Sequence, residues 1–301
     1  MYVVLGGRGA VGGQVCKALE ADGLAYAAPS SREVDARDAG ALTQACKGAE
    51  AILCCVGLPY QAKLWRRDWP RIAKALVTAA ERTGARVVFL DNVYMYGPAP
   101  LQVPIKEGHP QQPPSQTGRA RKEAAAILLD AHEARRACVT IARAADFYGP
   151  GAVDSVLWAS FLERMLENRV PQLLMTPQAR HTYACTGDVA RALLRLAGDP
   201  DAAGRAWHLP AGPPETPQDW TDRYNTLLGT NLQASCVPAA LSGLLGLFAG
   251  RVREAHEMRY QFHSDYLLSD AGFRERYPGF KTTHYDDGAA ALVAWARTRG
   301  D

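Results

Sequence analysis

Residues 4–13 read VLGGRGAVGG, and they leave the chain few ways to fold. Gly6, Gly9 and Gly12 fall in G-x-x-G-x-x-G spacing, between an apolar run, Tyr2–Leu5, and a helical stretch, Ala10–Ala21. The first glycine permits a tight turn, the second lets a backbone approach a pyrophosphate, and the third lets helix and strand pack closely. The phosphates then rest on free N–H groups at the helix N-terminus, where the dipole favours anions. The turn, with Ala10 and Val11 opening the helix, is therefore expected to hold a dinucleotide. Val56 and Gly57, where a later apolar run ends, are counted among its contacts.

The same strand-then-helix rhythm continues. Leu24–Ala28, Ala51–Val56, Arg86–Leu90 and Cys138–Ala142 read as strands, and Gly40–Lys47 and Ser115–Arg135 as helices. A further helix is expected to start at Pro70, capped by Asp68, and to stop at Gly84. Runs such as AILCCV are apolar throughout, as strands covered on both faces must be. The expected fold is α/β: a Rossmann-type doubly wound parallel sheet with a small C-terminal substrate lobe. Residues 1–150 form the dinucleotide-binding part. Residues 151–301 supply the remaining strands and the lobe, interleaved with the first part. Val153–Asn168 and Gly187–Ala197 read as helices, with Asp188 as a cap, and the lobe is built around Asp219–Leu228 and Pro238–Tyr260.

Composition sets outer limits. A length of 301 residues suits one domain with an appended lobe. A net charge of +3 is too small to argue for a nucleic-acid surface. The longest apolar run, Leu241–Gly250, is too short and too glycine-broken to cross a bilayer. Seven cysteines without a C-x-x-C pair read as reduced thiols of a cytoplasmic protein. No His/Cys cluster has metal-ligand spacing, so no metal is expected.

The residues after the second strand choose between cofactors. An Asp or Glu there would accept from a ribose hydroxyl. The chain offers Ser30, Ser31 and Arg32 instead, with Arg8 inside the glycine turn. Two guanidiniums flanking one spot suit a 2′-phosphate, so NADP(H) is favoured over NAD(H). Asp35 or Asp38, in VDARD, is expected to accept from the adenine amino group, and Asp35 is counted among the cofactor contacts.

These glycines, with NVYMYG at 92–97, RAADFYGPG at 143–151 and TGDVARALL at 186–194, resemble the short-chain dehydrogenase/reductase superfamily. The nearest branch is its extended or atypical group, which includes the NAD-dependent epimerases and dehydratases; WHLP at 207–210 and EMRYQF at 257–262 resemble the lobe of atypical members. The resemblance implies a Ser or Thr at the end of the fourth strand, where this chain has Asn92. It also implies a Tyr-x-x-x-Lys pair on the next helix, where the register gives Thr117 and Arg121. No tyrosine occurs between Tyr96 and Tyr148, so the usual acid is absent. A threonine hydroxyl is far too weak an acid to replace a phenol of pKa about 10, and arginine does not give up its proton. By the resemblance Arg121 holds the nicotinamide ribose, while Phe147 and Tyr148 close the nicotinamide end. Tyr94 takes the place of a catalytic Glu in the sugar dehydratases and alternates with Asn92, which puts both on one face.

The functional expectation is an NADP(H)-dependent oxidoreductase acting on a small carbonyl or hydroxyl compound, working as monomer or homodimer, with Tyr94 as either the substitute acid or an aromatic wall of the substrate pocket. Two alternatives stand beside it: a nucleotide-sugar epimerase or dehydratase, and a non-catalytic dinucleotide-sensing protein.

Overall fold

The computed structural model describes residues 1–173, 176–236, 261 and 264–298. The expected lobe segment Pro238–Tyr260, the run Leu241–Gly250, and EMRYQF apart from Gln261 lie outside them. The main sheet has six strands: β1 (Tyr2–Leu5), β2 (Tyr26–Ala27), β3 (Ala51–Cys54), β4 (Arg86–Asp91), β5 (Val139–Arg143) and, after a long excursion, β9 (Ala206–His208). Their order is β2-β1-β3-β4-β5-β9, and every neighbour pair is parallel. Helices cover both faces, as apolar strands demand. Val4, Leu53 and Val88 face α1 (Ala10–Ala21) and α6 (Thr186–Ala197), packing with Val15 and Leu193. Val3, Ile52 and Phe89 face the opposite layer of α2 (Ala39–Ala45), α3 (Ala62–Thr83) and α4 (Gln116–Glu133), packing with Leu42, Trp69, Leu76 and Leu128.

The excursion between β5 and β9 carries β6 (Asp146–Tyr148), a π-helical turn over Leu157–Leu162, α5 (Glu163–Leu166), β7 (Gln172–Leu173) and β8 (Tyr183–Cys185). After β9 come α7 (Pro217–Leu228), β10 (Ser235–Cys236), α8 (Ala271–Arg276) and α9 (Tyr285–Arg297). β6 pairs in parallel with β8. Around them Tyr148, Trp220 and Tyr285 pack mutually edge to face at 5.1–5.3 Å, within a separate aromatic core.

Three elements differ from the sequence expectation. α3 begins at Ala62, not at Pro70, which sits in its interior. Interior proline costs about 3 kcal/mol, but Trp65, Trp69, Ile72 and Leu76 recur at helical spacing and are all buried, and that burial outweighs it. Asp68 is therefore not a cap. It is fully buried and accepts from Arg67 (2.7 Å) and Arg37 (3.0 Å). The helix expected over 153–168 is the π-helical turn continued by α5. Asp188 lies in the first turn of α6 behind the N-cap Cys185, and its carboxylate accepts from the Thr283 backbone N–H (2.7 Å) and hydroxyl (2.6 Å).

One buried polar chain ties β9 to the sheet's centre. His208 is fully buried, its Nδ1 donates to the Ser269 carbonyl (2.9 Å), and its Nε2 accepts from the Tyr96 hydroxyl. Both ring nitrogens are used by the neutral imidazole, and burial pushes the His208 pKa down to about 4. The unfolded chain, with an ordinary histidine near 6.5, binds the proton more readily in between. Stability is therefore intact above about pH 6.5 and falls as pH drops toward 4, by an amount of order 3 kcal/mol. Thermal melts of wild type and His208→Gln across this window should show the wild type losing stability on acidification more steeply than the variant.

Candidate active site

A cleft of about 1940 Å³ opens across the C-terminal ends of β1 and β3, at the place where chain direction in the sheet order reverses. Ligands of parallel α/β sheets bind at such points. Pockets for single small molecules reach roughly 1,000 Å³, so there is room here for a cofactor and a second molecule.

The floor is the β1–α1 turn. Gly6 has φ +79°, and a Cβ on it would lie 2.5 Å from the Cys55 carbonyl oxygen. A Cβ on Gly12 would lie 2.2 Å from the Gly6 carbonyl oxygen, so helix and strand approach as closely as only glycine permits. Gly9 is the N-cap of α1 and has no side chain to satisfy the first N–H groups. These are the features that a pyrophosphate needs, and the turn fits a dinucleotide. Gly6, Arg8, Gly9, Val56 and Gly57 all line the cleft; Ala10, Val11 and Gly12 stand behind them in the first turn of α1.

At one end Ser31, Arg32 and Asp35 also line the cleft. Asp35 is committed to its neighbour: both carboxylate oxygens accept from Arg37, at 2.7–3.1 Å, and this pairing lowers its pKa. Arg37 in turn reaches Asp68. Glu33 is folded back, its carboxylate accepting from the Ser30 N–H and hydroxyl, both at 2.7 Å. Arg8 and Arg32 are exposed.

At the other end stand Tyr60, Gln61, Lys63, Tyr94 and Gln116, with Asp154, Val156, Ala159 and Ser160 on the opposite lip. That lip is the π-helical turn with the residues that lead into it; the turn buries Leu157, Trp158, Phe161 and Leu162 and leaves Ala159 and Ser160 lining the cleft, and such turns recur at functional sites. The Tyr94 ring stacks on Trp65 at 6.1 Å and 10° and meets Tyr60 edge-on at 6.4 Å. The Asn92 side chain accepts from the Tyr94 N–H (3.1 Å), which fixes the turn that presents the tyrosine. A Cβ on Gly118 would lie 2.2 Å from the Tyr94 carbonyl, so α4 abuts this same turn.

Several expected residues sit elsewhere. Arg121 does not reach the cleft. Its side chain is 4% exposed, Nε donates to Asp91 (2.7 Å), Nη2 donates to the Leu90 carbonyl (2.7 Å), and the guanidinium lies 3.9 Å over the Trp69 ring. Thr117 is buried, with its hydroxyl on Ser115 (3.3 Å). Tyr148 belongs to the lobe core against Trp220 and Tyr285, where burial raises its pKa far above the ordinary phenol value. Phe147 packs against the α1–α6 side of the sheet. Sequence reasoning missed Tyr60, Gln61, Lys63, Gln116, Asp154 and Ser160. The first three precede or open a helix whose start the proline disguised, and the last two sit in a lobe with no motif.

The model of the NAD dependent epimerase/dehydratase family matches residues 2–209. The chain belongs to that family. No curated protein matches it in sequence. Solved structures match over nearly its full length. A double mutant of the dTDP-glucose 4,6-dehydratase DesIV from Streptomyces venezuelae, with NAD bound, shares 19% identity at TM-score 0.80, covering 100% of this chain and 98% of that one. The Bordetella bronchiseptica enzyme WbmH, in complex with NAD+, shares 18% at 0.77, covering 100% and 99%. A GDP-L-fucose synthetase from Naegleria fowleri, bound to NADP, shares 13% at 0.76, covering 99% and 94%. At these identities the likeness is one of fold. Family membership makes the chain an enzyme of the NAD(P)-dependent kind, with a nicotinamide dinucleotide as cofactor class.

The placement of Arg121 has a measurable consequence. Arg121→Met leaves the buried Asp91 carboxylate short of a partner and should cost roughly 3–5 kcal/mol in urea unfolding. Dinucleotide affinity of the folded fraction should change little. A large loss of affinity with stability intact would return Arg121 to the cofactor.

Proposed function

We propose that the protein is an NADP(H)-dependent oxidoreductase that interconverts a small carbonyl compound and its alcohol, with Tyr94 as the residue that handles the proton. The observation that carries the cofactor choice is the charge at the ribose end of the cleft. Arg8 and Arg32 are exposed there, while the nearby acids, also exposed, already have partners: Glu33 accepts from Ser30 and Asp35 from Arg37. A 2′-phosphate would meet two guanidiniums, beside carboxylates already held by Ser30 and Arg37. Gly6, Gly9 and the start of α1 would hold the pyrophosphate.

When bound, the nicotinamide supplies or accepts the hydride, and the protein supplies position. In the reducing direction the carbonyl oxygen needs a proton as hydride reaches its carbon. Tyr94 lines the cleft, is held by Asn92 through its backbone, and is braced by Trp65. Thr117 and Arg121 face other groups. Among the thiols described all are free, with Cys54 and Cys55 buried at the end of β3, which supports a reducing, cytoplasmic setting.

A second reading is nucleotide-sugar epimerisation or dehydration. The full-length likeness to dTDP-glucose and GDP-fucose enzymes favours it, as does a cleft with room for a second, larger ligand.

Fluorescence titration of both cofactors checks the first point. NADPH should bind at least about tenfold more tightly than NADH, since one charged hydrogen-bonding pair is worth about 1.5–3 kcal/mol. Arg8→Ala with Arg32→Ala should erase that preference, and equal affinities in the wild type would sink the assignment. In carbonyl reduction followed by NADPH consumption, Tyr94→Phe should lower turnover by a factor of about 10²–10⁴. Thr117→Val should leave most of it.

A further inference from the structure

The wall of the cleft around Tyr94 is aromatic, and its shape is set before anything binds. Tyr60 and Tyr94 both line the cleft. Their rings meet edge to face, with centroids 6.4 Å apart and planes at 81°, so together they form a corner. Trp65 backs both of them. It stacks on Tyr94 at 6.1 Å and 10°, and it meets Tyr60 edge-on at 5.2 Å. Behind it the ring contacts continue into the core through Trp69 (6.0 Å) and on to Phe89 (5.8 Å). The Trp65 indole N–H donates to the Pro59 carbonyl (3.0 Å), which pins the loop that carries Tyr60. A corner held in this way loses little entropy when a ligand fills it.

The surface beside the corner is apolar or neutral. Leu58, Pro59 and Leu64 line the cleft next to Tyr60 in sequence, and Gln116 lines it two residues before Gly118, which abuts the Tyr94 carbonyl. The deeper guanidiniums on this side, Arg121 and Arg143, are both paired to Asp91 beneath the surface. Arg66 is turned to Gln116 (3.4 Å). Lys63 lines the cleft, but it leaves α3 about 200° around the helix axis from Trp65. A diphosphate wants guanidiniums or the N–H groups of a helix start, and the cleft offers those at the glycine turn. A flat ring wants faces and edges at centroid distances of about 4.5–7 Å, and the corner offers those.

We infer that the substrate is an aryl carbonyl compound, with an aromatic ring joined directly to the reacting carbonyl, and that Tyr60 is the residue that selects it. The inference rests on the reading of the protein as a carbonyl reductase in which Tyr94 handles the proton. Tyr94 is then one side of the corner and the proton donor at once. A ring seated against Tyr60 and Tyr94 serves the reaction when its carbonyl is carried beside it. The nucleobase of a nucleotide sugar lies a whole diphosphate and sugar away from the reacting carbon, so a corner at Tyr94 does nothing for it. The reduction itself is the one given above: hydride to the carbonyl carbon, a proton to its oxygen, and a benzylic alcohol as product.

Calorimetric titration of ketones into the protein loaded with oxidised dinucleotide tests this without turnover, because a ketone and an oxidised cofactor do not react. Acetophenone should bind about three- to tenfold more tightly than cyclohexyl methyl ketone, which has nearly the same size and the same carbonyl but no π-face. Burial of apolar area alone favours the cyclohexyl compound, so the order of affinities reads the rings. Tyr60→Phe should keep the preference. Tyr60→Leu should remove it with the dinucleotide still bound, and in turnover the loss should appear mainly in KM for acetophenone. Equal or reversed affinities in the wild type would overturn the inference. So would a preference that survives Tyr60→Leu, or UDP-glucose binding more tightly than acetophenone. Failure of the parent reading looks different: an intact, Tyr60-dependent aryl preference with neither ketone reduced would strike the reductase and leave the aryl site. Reduction of both ketones with no aryl preference would do the reverse.

Discussion

The Asp91 carboxylate is the point on which the cleft depends. It is buried at the end of β4, where a lone charge would be intolerable. One oxygen accepts from Arg121 on α4 and from the Asn92 N–H; the other accepts from Arg143 on β5 at 3.3 Å. A single side chain thus joins the central strand, the helix beside it and the next strand. Arg143 continues the connection by donating to the Tyr96 hydroxyl (2.9 Å), and Tyr96 passes it to His208 on β9. Such a network is costly to bury and adds little net stability. Its consequence is geometric, because it fixes the direction in which the chain leaves β4, and the next residues are Asn92 and Tyr94.

This arrangement explains why the exchange of lysine for arginine on α4 changes more than a side chain. A lysine offers one compact charge. An arginine offers a planar fork, and here the fork bonds a carboxylate and a carbonyl while its face lies on Trp69. Those partners draw it under the surface. The cation is retained in sequence but withdrawn from the cleft. A cleft that binds an anionic cofactor must then take its charge from other elements, the glycine turn and the loop after β2.

The parallel sheet, the glycine turn and the place of Arg8 and Arg32 at the cleft were legible because each follows from local rules: apolar runs, glycine spacing, and charge beside a known turn. What was not legible depended on which way a side chain points. Nothing in T-G-R-A-R says that Arg121 turns inward, since that follows from Asp91 and Trp69, distant in sequence. Pro70 suggested a helix start because the local signal is real; the stripe of Trp65, Trp69, Ile72 and Leu76 overrode it through burial that only the assembled sheet provides. The same error hid Lys63 and Gln61, which became functional candidates only once α3 was seen to begin beside the cleft. Tyr148 was misplaced for the converse reason: its motif is family-like, but its ring is claimed by Trp220 and Tyr285 from a lobe without motifs.

The two ends of the cleft are therefore built by separate means. The end at the glycine turn rests on backbone geometry, with Gly6 and Gly12 setting the turn and exposed Arg8 and Arg32 at its rim. The end at Tyr94 rests on side-chain contacts, in which Asp91 bonds the Asn92 N–H and Asn92 and Trp65 hold Tyr94. Sites that share no partners vary almost independently. A chain of this family can thus keep its glycine turn intact while residues at the other end of the cleft are exchanged, which is the pattern seen here: a complete glycine motif beside a missing tyrosine. The strand end that connects the two, from Asp91 to Tyr94, is where a change in one would be felt by the other.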